Sequence, residues 1–349
     1  MILAVALTSL APADKKKKEE ETQILQLPKE LPAAVAGETR RLAFFVTPLS
    51  AKGLLSQQVR DALKSLERQA AGSPVLQIRA FVAGTGDLRR VRDLVSETFT
   101  ERRQPLPALS LIQGGALPLT GAQVVLEAVA NGHRDLYPGG VAFFPGEAAV
   151  AEDPLAPVGP LLERTLSGLR TALQSAGFTP ADVLRLACFV SSLEGYETAR
   201  ARMEAEYPHA ARDYIQTERA PQRAMAACEA TTGVREARDA SAGEHRPFAI
   251  VGTPRVVFTG TQVSFGSEPQ DIRLALNRLA KSLEPLGASL SDTAFVHVYP
   301  VSRRIEDQVR RQLPALFNPG HPSALSFLEF EGLSSADAGF AVDLVAAKE

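Results

Sequence analysis

Three times along this chain an amphipathic helix runs into a β-rich strand of the same pattern, and that recurrence limits the fold more than any other feature. The strands read "LQIRAFV" (76–82), "LRLACFV" (184–190) and "TAFVHVYP" (293–300), with aromatic anchors Phe81, Phe189 and Tyr299 spaced 108 and 110 residues apart. Each is an alternating run rich in β-formers. The helix before each strand carries an apolar stripe: Val59, Leu63 and Leu66; then Leu162, Leu166, Leu169 and Leu173; then Ile272, Leu276, Leu279 and Leu283. Residues three and four apart share one helix face, so each helix has one side to bury. The last two helices stop at Gly177 and Gly287, where the chain needs a left-handed C-terminal residue.

A second helix follows each strand, at 88–99, 196–207 and 305–317, and two further strand-like runs close each copy. Those runs are "PALSLIQ" and "GAQVVLEAVA", "ARDYIQT" and "RAMAACEATT", and "SALSFLEF" and "GFAVDLVAA". Ahead of each first helix stands a β-hairpin candidate, "RLAFFVTPLS", "GVAFFPGEAAV" or "PRVVFTGTQVSFG". Every copy therefore reads β-β-α-β-α-β-β, an α+β module of roughly 100 residues. The boundaries fall at 22–132, 133–240 and 241–349, with "GVREARDASAGEHRP" (233–247) as a polar linker between the last two.

A chain of 349 residues exceeds one ordinary core and accommodates three such units. Its net charge of −2 and five tyrosines, with no tryptophan, supply neither a basic field nor an aromatic platform. Nucleic acid is thereby excluded as a partner. No apolar stretch reaches the length of a membrane span. Residues 1–21 stand apart: "MILAVALTSLAPA" is apolar and ends in an A-x-A-like site, and "DKKKKEEE" then reads as a solvated linker. Residues 1–13 point to export, into a periplasm or out of the cell; otherwise the protein is cytoplasmic. Cys188 and Cys228 sit in apolar β-like runs, so buried thiols are the default and a bond between them is left open. No Cys/His pair has zinc spacing, and no metal or cofactor is called for.

The order of elements and the closing strands resemble the Rid/YjgF family, the reactive intermediate deaminases. That family's C-terminal signature runs P-A-R-x-x-V-x-V-x-x-L-P-x-G-A-x-V-E-I-E-A-I-A. "AARDYIQTERAPQRAMAACEATT" (210–232) follows it most clearly, "PALSLIQGGALPLTGAQVVLEAVA" (107–130) keeps "ALP" and "EAVA", and "VVFTGTQ" (256–262) is similar to an earlier family run. The resemblance implies three chorismate-mutase-like modules in a single-chain pseudo-trimer, sheets inside and helices outside, with ligand clefts between neighbours. It implies a chain that is monomeric in solution, since the copies complete one another.

The resemblance also implies a site. The family's arginine, which binds a substrate carboxylate, falls on Arg212; the other copies have Leu109 and Leu325 there. A guanidinium fork suits that bidentate task. Tyr214 shares the strand face of Arg212. A family asparagine on the second helix becomes Arg92 and Arg200, and Arg200 joins the substrate-binding candidates. The first acid of the family's E-I-E is replaced by Val125, Ala227 and Ala341, whereas the second persists as Glu127, Glu229 and Asp343. Glu229 is the candidate catalytic acid, and a fold-supporting role for all three acids is the competing reading. The family's Ser-Gly-Gln turn is altered to "VTPL", "FPGE" and "TGTQ". The expected ligand is a small carboxylate or imino acid. The expected chemistry is hydrolysis of an enamine or imine to a keto acid and ammonia, with a non-catalytic binder or scaffold as the alternative. Ribonuclease and chorismate mutase activities are disfavoured for want of clustered cations.

Overall fold

The computed structural model describes residues 29–84, 86–236, 248–313, 317 and 323–349. The apolar N-terminus, its charged linker and most of the 233–247 linker lie outside the described residues. Three sheets carry the fold, each backed by two helices, in a mixed α+β architecture.

The first sheet holds β2 (Leu42–Val46), β3 (Val75–Ala83), β4 (Ala108–Gly114) and β5 (Val124–Asn131), with α1 (Leu55–Ala70) and α2 (Leu88–Glu101). Its strands run in the order β4-β3-β5-β2. The second holds β6 (Gly140–Phe144), β7 (Ala149–Ala151), β8 (Val183–Val190), β9 (Ala211–Gln216) and β10 (Ala224–Val234). Its helices are α3 (Val158–Ser175) and α4 (Tyr196–Glu206). The third holds β12 (Arg255–Thr259), β13 (Gln262–Ser264), β14 (Thr293–Pro300), β15 (Ala324–Phe327) and β17 (Phe340–Lys348). Its helices are α5 (Pro269–Leu283) and α6 (Arg303–Gln312). In every sheet the long strand after the first helix pairs parallel with one neighbour and antiparallel with the closing strand.

The helices form where the apolar stripes predict. Leu162, Leu166, Leu169 and Leu173 are all buried against the second sheet, and Ile272, Leu276, Leu279 and Leu283 against the third. Fully burying one such side chain is worth about 1.5–3 kcal/mol, so each stripe is enough to dock its helix. Gly177 and Gly287 take φ of 73° and 72°, the left-handed conformation expected of them.

The hairpin candidates are corrected by the structure. β6 and β7 do not pair with each other; both lie along β10, one after the other, and β12 and β13 lie likewise along β17. The intervening Pro145-Gly146 and Gly260-Thr261 bend one strand line rather than reverse it. Proline lacks a ladder donor and glycine tolerates the bend.

Three short strands stitch the sheets together. β1 (Ala34–Glu38) pairs with β12, β11 (Ala249–Val251) with β6, and β16 (Gly332–Leu333) with β4. The helix-free faces meet in two shared apolar clusters. In one, the anchors Phe81, Phe189 and Tyr299 each lie 5.6–5.7 Å, ring to ring, from Phe330. In the other, Phe143 stacks on Phe295 at 5.3 Å.

Cys188 and Cys228 are directly opposite on β8 and β10 and form a disulfide, with Cα atoms 4.2 Å apart. The default of two buried thiols is thus replaced by a bonded pair, both cysteines being fully buried. At the equivalent register the first sheet has Ala80 and Leu126, and the third has Val298 and Val342.

Candidate functional site

Two polar regions stand out, one central and one in a cleft. The central one begins with a residue that looks misplaced in the sequence: a charged or imidazole side chain inside each apolar strand, Arg79 on β3, Arg185 on β8 and His297 on β14. Antiparallel pairing sets Arg79 opposite Glu127 and His297 opposite Asp343. Arg79 Nε donates to Glu127 at 2.7 Å; Arg185 Nη2 donates to both Glu127 and Glu229 at 2.7 Å. Arg79 Nη2 also reaches Glu229 at 3.0 Å, and Ser326 Oγ donates to it at 3.0 Å. The His297 ring lies 3.0 Å from Asp343 through Nδ1 and 3.1 Å from Glu229 through Nε2. Asp343 further accepts from Ser110 Oγ at 2.6 Å and Tyr299 OH at 3.1 Å.

All of these groups are buried. Burial alone pushes Glu229 up, yet His297 and Arg79 overcome it and hold the carboxylate down at about 2. Burial pushes His297 down, and Glu229 and Asp343 outweigh it, so its pKa is raised. Beside this network lies a cavity of about 30 Å³, room for one water. Glu229, the sequence-predicted acid, is therefore a fully buried knot between two guanidinium groups and the His297 imidazole, and it does not line the cleft described next. A buried charge so surrounded holds structure together, and removing it would strand its partners.

The cleft opens where β9, the edge strand of the second sheet, meets the turn after β2 of the first. Its volume is about 390 Å³. Val46, Thr47, Pro48 and Leu49, the altered "VTPL" turn, form one wall together with Leu117 and Val125. Tyr196, Arg212, Asp213 and Tyr214 form the other. The rim is fixed by backbone: Gly115 N donates to Gln216 O at 2.8 Å, and Gln216 N to Ala116 O at 3.0 Å. A Cβ on Gly115 would stand 2.4 Å from the Glu218 backbone, so only glycine permits that approach.

Arg212 and Tyr214 are brought together here, as their shared strand face predicts. Arg212 Nη1 donates to the Tyr207 carbonyl at 2.6 Å, and among the described residues no carboxylate pairs with it. Tyr214 is buried, with its ring 5.3 Å from that of Tyr196; burial pushes its hydroxyl up to about 12. Arg200 is not brought to the cleft. It lies exposed on α4, paired with Glu197 and Glu204 at 3.1 Å each. Arg92 is likewise exposed on α2.

Sequence reasoning missed Asp213. It lies between Arg212 and Tyr214, on the alternate face of β9, and only the fold shows that its carboxyl meets that of Glu127. Both Asp213 carboxylate oxygens are buried, and its carboxyl lies within hydrogen-bonding reach of the Glu127 carboxyl. Burial pushes the group up to about 6. Glu127 and Asp213 feel each other's charge, and it is Asp213 that lacks a guanidinium partner, whereas Glu127 has two.

At the corresponding places elsewhere the neighbouring backbones approach closely. Thr261 N donates to the Leu109 carbonyl at 3.3 Å, and a Cβ on Gly260 would stand 2.6 Å from that oxygen. Between the second and third sheets, Gly146 N donates to Ser326 Oγ at 3.3 Å, beside a space of only about 20 Å³.

The chain is similar to solved structures of the YjgF/Rid family. One is a member of the YjgF/YER057c/UK114 family from Mycobacterium tuberculosis, 20% identical, covering 29% of this chain and 83% of that one with a TM-score of 0.25. A second is a YjgF-family protein from Neisseria meningitidis, 14% identical over 27% of this chain and 80% of its own, with a TM-score of 0.25. A third is a Rid-family protein of unknown function from Yersinia pestis, 19% identical over 29% and 82%, with a TM-score of 0.25. Each match has the length of about one of the sequence repeats. No family model and no curated protein matches the chain. No helix among the described residues is long and apolar enough to cross a membrane.

Proposed function

We propose that the chain is three Rid-type modules of chorismate-mutase-like fold in one pseudo-trimer, and that the Arg212 cleft binds a small carboxylate-bearing metabolite. The observation that carries this reading is a half-buried guanidinium bordering a cavity of about 390 Å³ with no carboxylate of its own. A cation held by one backbone carbonyl keeps donors free for a planar anion. The apolar wall of Val46, Leu117 and Val125 suits a short aliphatic body. The module boundaries at 22–132, 133–240 and 241–349 belong to the same reading, as does a monomeric chain, checked by light scattering that returns the mass of one chain.

The site is tested by calorimetry with pyruvate and 2-oxobutyrate. Wild type binds one equivalent, and Arg212→Ala weakens binding roughly tenfold or more, the loss expected when a charge-assisted pair is removed. Equal binding by both proteins, or three equivalent sites, would place the function elsewhere.

Two chemistries fit this cleft. Hydrolysis of 2-iminobutanoate or 2-iminopropanoate to the keto acid and ammonia needs a carboxylate clamp and a placed water. A non-catalytic binder needs the clamp alone. Val125, standing where the family has an acid, and the enclosure of Glu229 favour the second. Imine generated by an amino-acid oxidase separates them: turnover above buffer that disappears in Arg212→Ala supports the enzyme, and binding without turnover supports the binder.

A further inference from the structure

The Arg212 cleft is larger than pyruvate needs. Pyruvate has six non-hydrogen atoms, and at roughly 30 Å³ for each it fills about 180 Å³. The cleft holds about 390 Å³. The wall across from Arg212 is apolar apart from Thr47, with Val46, Pro48, Leu49, Leu117, Pro118 and Val125.

The apolar surface does not stop at the rim. Gln58 Nε2 donates to the carbonyls of Gly53 and Gly121 at 3.1 and 3.0 Å, and Gln123 N donates to Gln58 Oε1 at 2.8 Å. One buried side chain thus clamps the segment after the 46–49 turn to the segment after Leu117 and Pro118. A Cβ on Gly121 would stand 3.2 Å from that of Ala51, so the two segments touch. They carry Leu54 and Leu119, which are 80% and 42% exposed. A lone exposed leucine needs no explanation, but two on the segments that wall an apolar cleft lengthen its surface. The aromatic residues offer no slot for a flat ring. Tyr196 and Tyr214 pack on each other with rings 5.3 Å apart, and Tyr214 is buried.

We propose that the Arg212 cleft takes a medium-chain aliphatic carboxylate of about six to ten carbons, its head on Arg212 and its chain running along the apolar wall toward Leu119 and Leu54. This rests on Arg212 holding the carboxylate and deepens that reading by naming the tail. The resemblance implies only short keto and imino acids and gives no reason for such a tail. Each methylene that leaves water for this surface should tighten binding about threefold.

Calorimetry with propionate, hexanoate, octanoate and 3-phenylpropionate tests the tail. Wild type should bind octanoate at least about thirtyfold more tightly than propionate, with hexanoate between them. In the double variant Leu54→Ser, Leu119→Ser, two exposed positions whose exchange spares the core, that ratio should fall at least about threefold. Wild type that binds octanoate no tighter than propionate overturns the proposal. So does a ratio untouched by the double variant, or 3-phenylpropionate binding more tightly than octanoate. Arg212→Ala and octanol distinguish this failure from that of the carboxylate reading. Propionate binding that disappears in Arg212→Ala, with no gain along the series in wild type, leaves the carboxylate reading standing and ends this one. Octanol bound as tightly as octanoate, or acids bound equally by wild type and Arg212→Ala, overturns both.

Discussion

Arg212 and Arg223 make an instructive pair. Arg212 lies on β9 and Arg223 immediately before β10, each facing a seam with a neighbouring sheet, and their surroundings differ in kind. Arg223 points toward the third sheet and is matched at once, by Glu329 at 2.7 Å and Glu306 at 3.4 Å, in a space of about 20 Å³. Arg212 points toward the first sheet, meets a backbone carbonyl, and borders about 390 Å³. An ion pair that fills its own seam is structure. A cation left with donors to spare beside an open volume is a candidate site. The same topology therefore supports both outcomes, and the side chains opposite decide which one results.

The contrast is sharpest between the cleft and the central network, and the largest expected effect lies there. Glu229→Ala leaves Arg79, Arg185 and His297 without their shared carboxylate and should cost about 3–5 kcal/mol in urea unfolding, as for a broken buried pair. Arg212→Ala should change stability by less than about 0.5 kcal/mol while removing ligand binding. A Glu229 variant that is stable but inactive would reverse those roles.

Next in size is the disulfide, which only the second sheet has. Cys188 lies beside Tyr214 in the parallel register of β8 and β9, so the bond staples the strand that carries the cleft. Replacing both cysteines by alanine should cost roughly 2–4 kcal/mol, from the loop of 40 residues that the bond closes. An unchanged unfolding midpoint would show that the second sheet needs no staple.

Asp213 should act in the opposite direction. Its carboxyl is raised from 3.8 to about 6, so the folded state holds a proton that the unfolded state has released. Its contribution is then most favourable below about 4 and is lost as pH rises to about 6. Asp213→Asn should accordingly gain on wild type across that window, by on the order of 2 kcal/mol. A constant difference between the two proteins from pH 4 to 7 would contradict the shift. Glu229 works with the other sign: held at about 2, it stabilises above about 4.5, and that support falls away as pH drops toward 2.

The smallest effect concerns the closed seam. Leu109→Arg restores the family residue in the first sheet, but Thr261 and Gly260 already abut the Leu109 backbone. Ligand stoichiometry should stay at one per chain, and a second equivalent would show that the residue alone makes the site.

Much of the fold could be read from the repeat. Periodic leucines place the helices, and the aromatic anchors Phe81, Phe189 and Tyr299 foretell strands that converge on Phe330. What could not be read was non-local. β1, β11 and β16 pair into a neighbour's sheet, and no local pattern tells a strand which edge it will join. The hairpins failed because a bend and a reversal share the same Pro and Gly signals. In the cleft, Arg212 followed from the family resemblance and Tyr214 from alternation along β9, and alternation is also why Asp213 was overlooked. Arg79, Arg185 and His297 left one usable trace, a charge-bearing side chain in the middle of each apolar strand.

The central claim is that one cleft, defined by Arg212, is the binding site. A crystal soaked with pyruvate tests it most directly. The account predicts one ligand per chain, its carboxylate on the Arg212 guanidinium between β9 and the 46–49 turn, and none beside Leu109 or Leu325. Ligand at either leucine, or an Arg212 cleft left empty while pyruvate binds elsewhere, would contradict it.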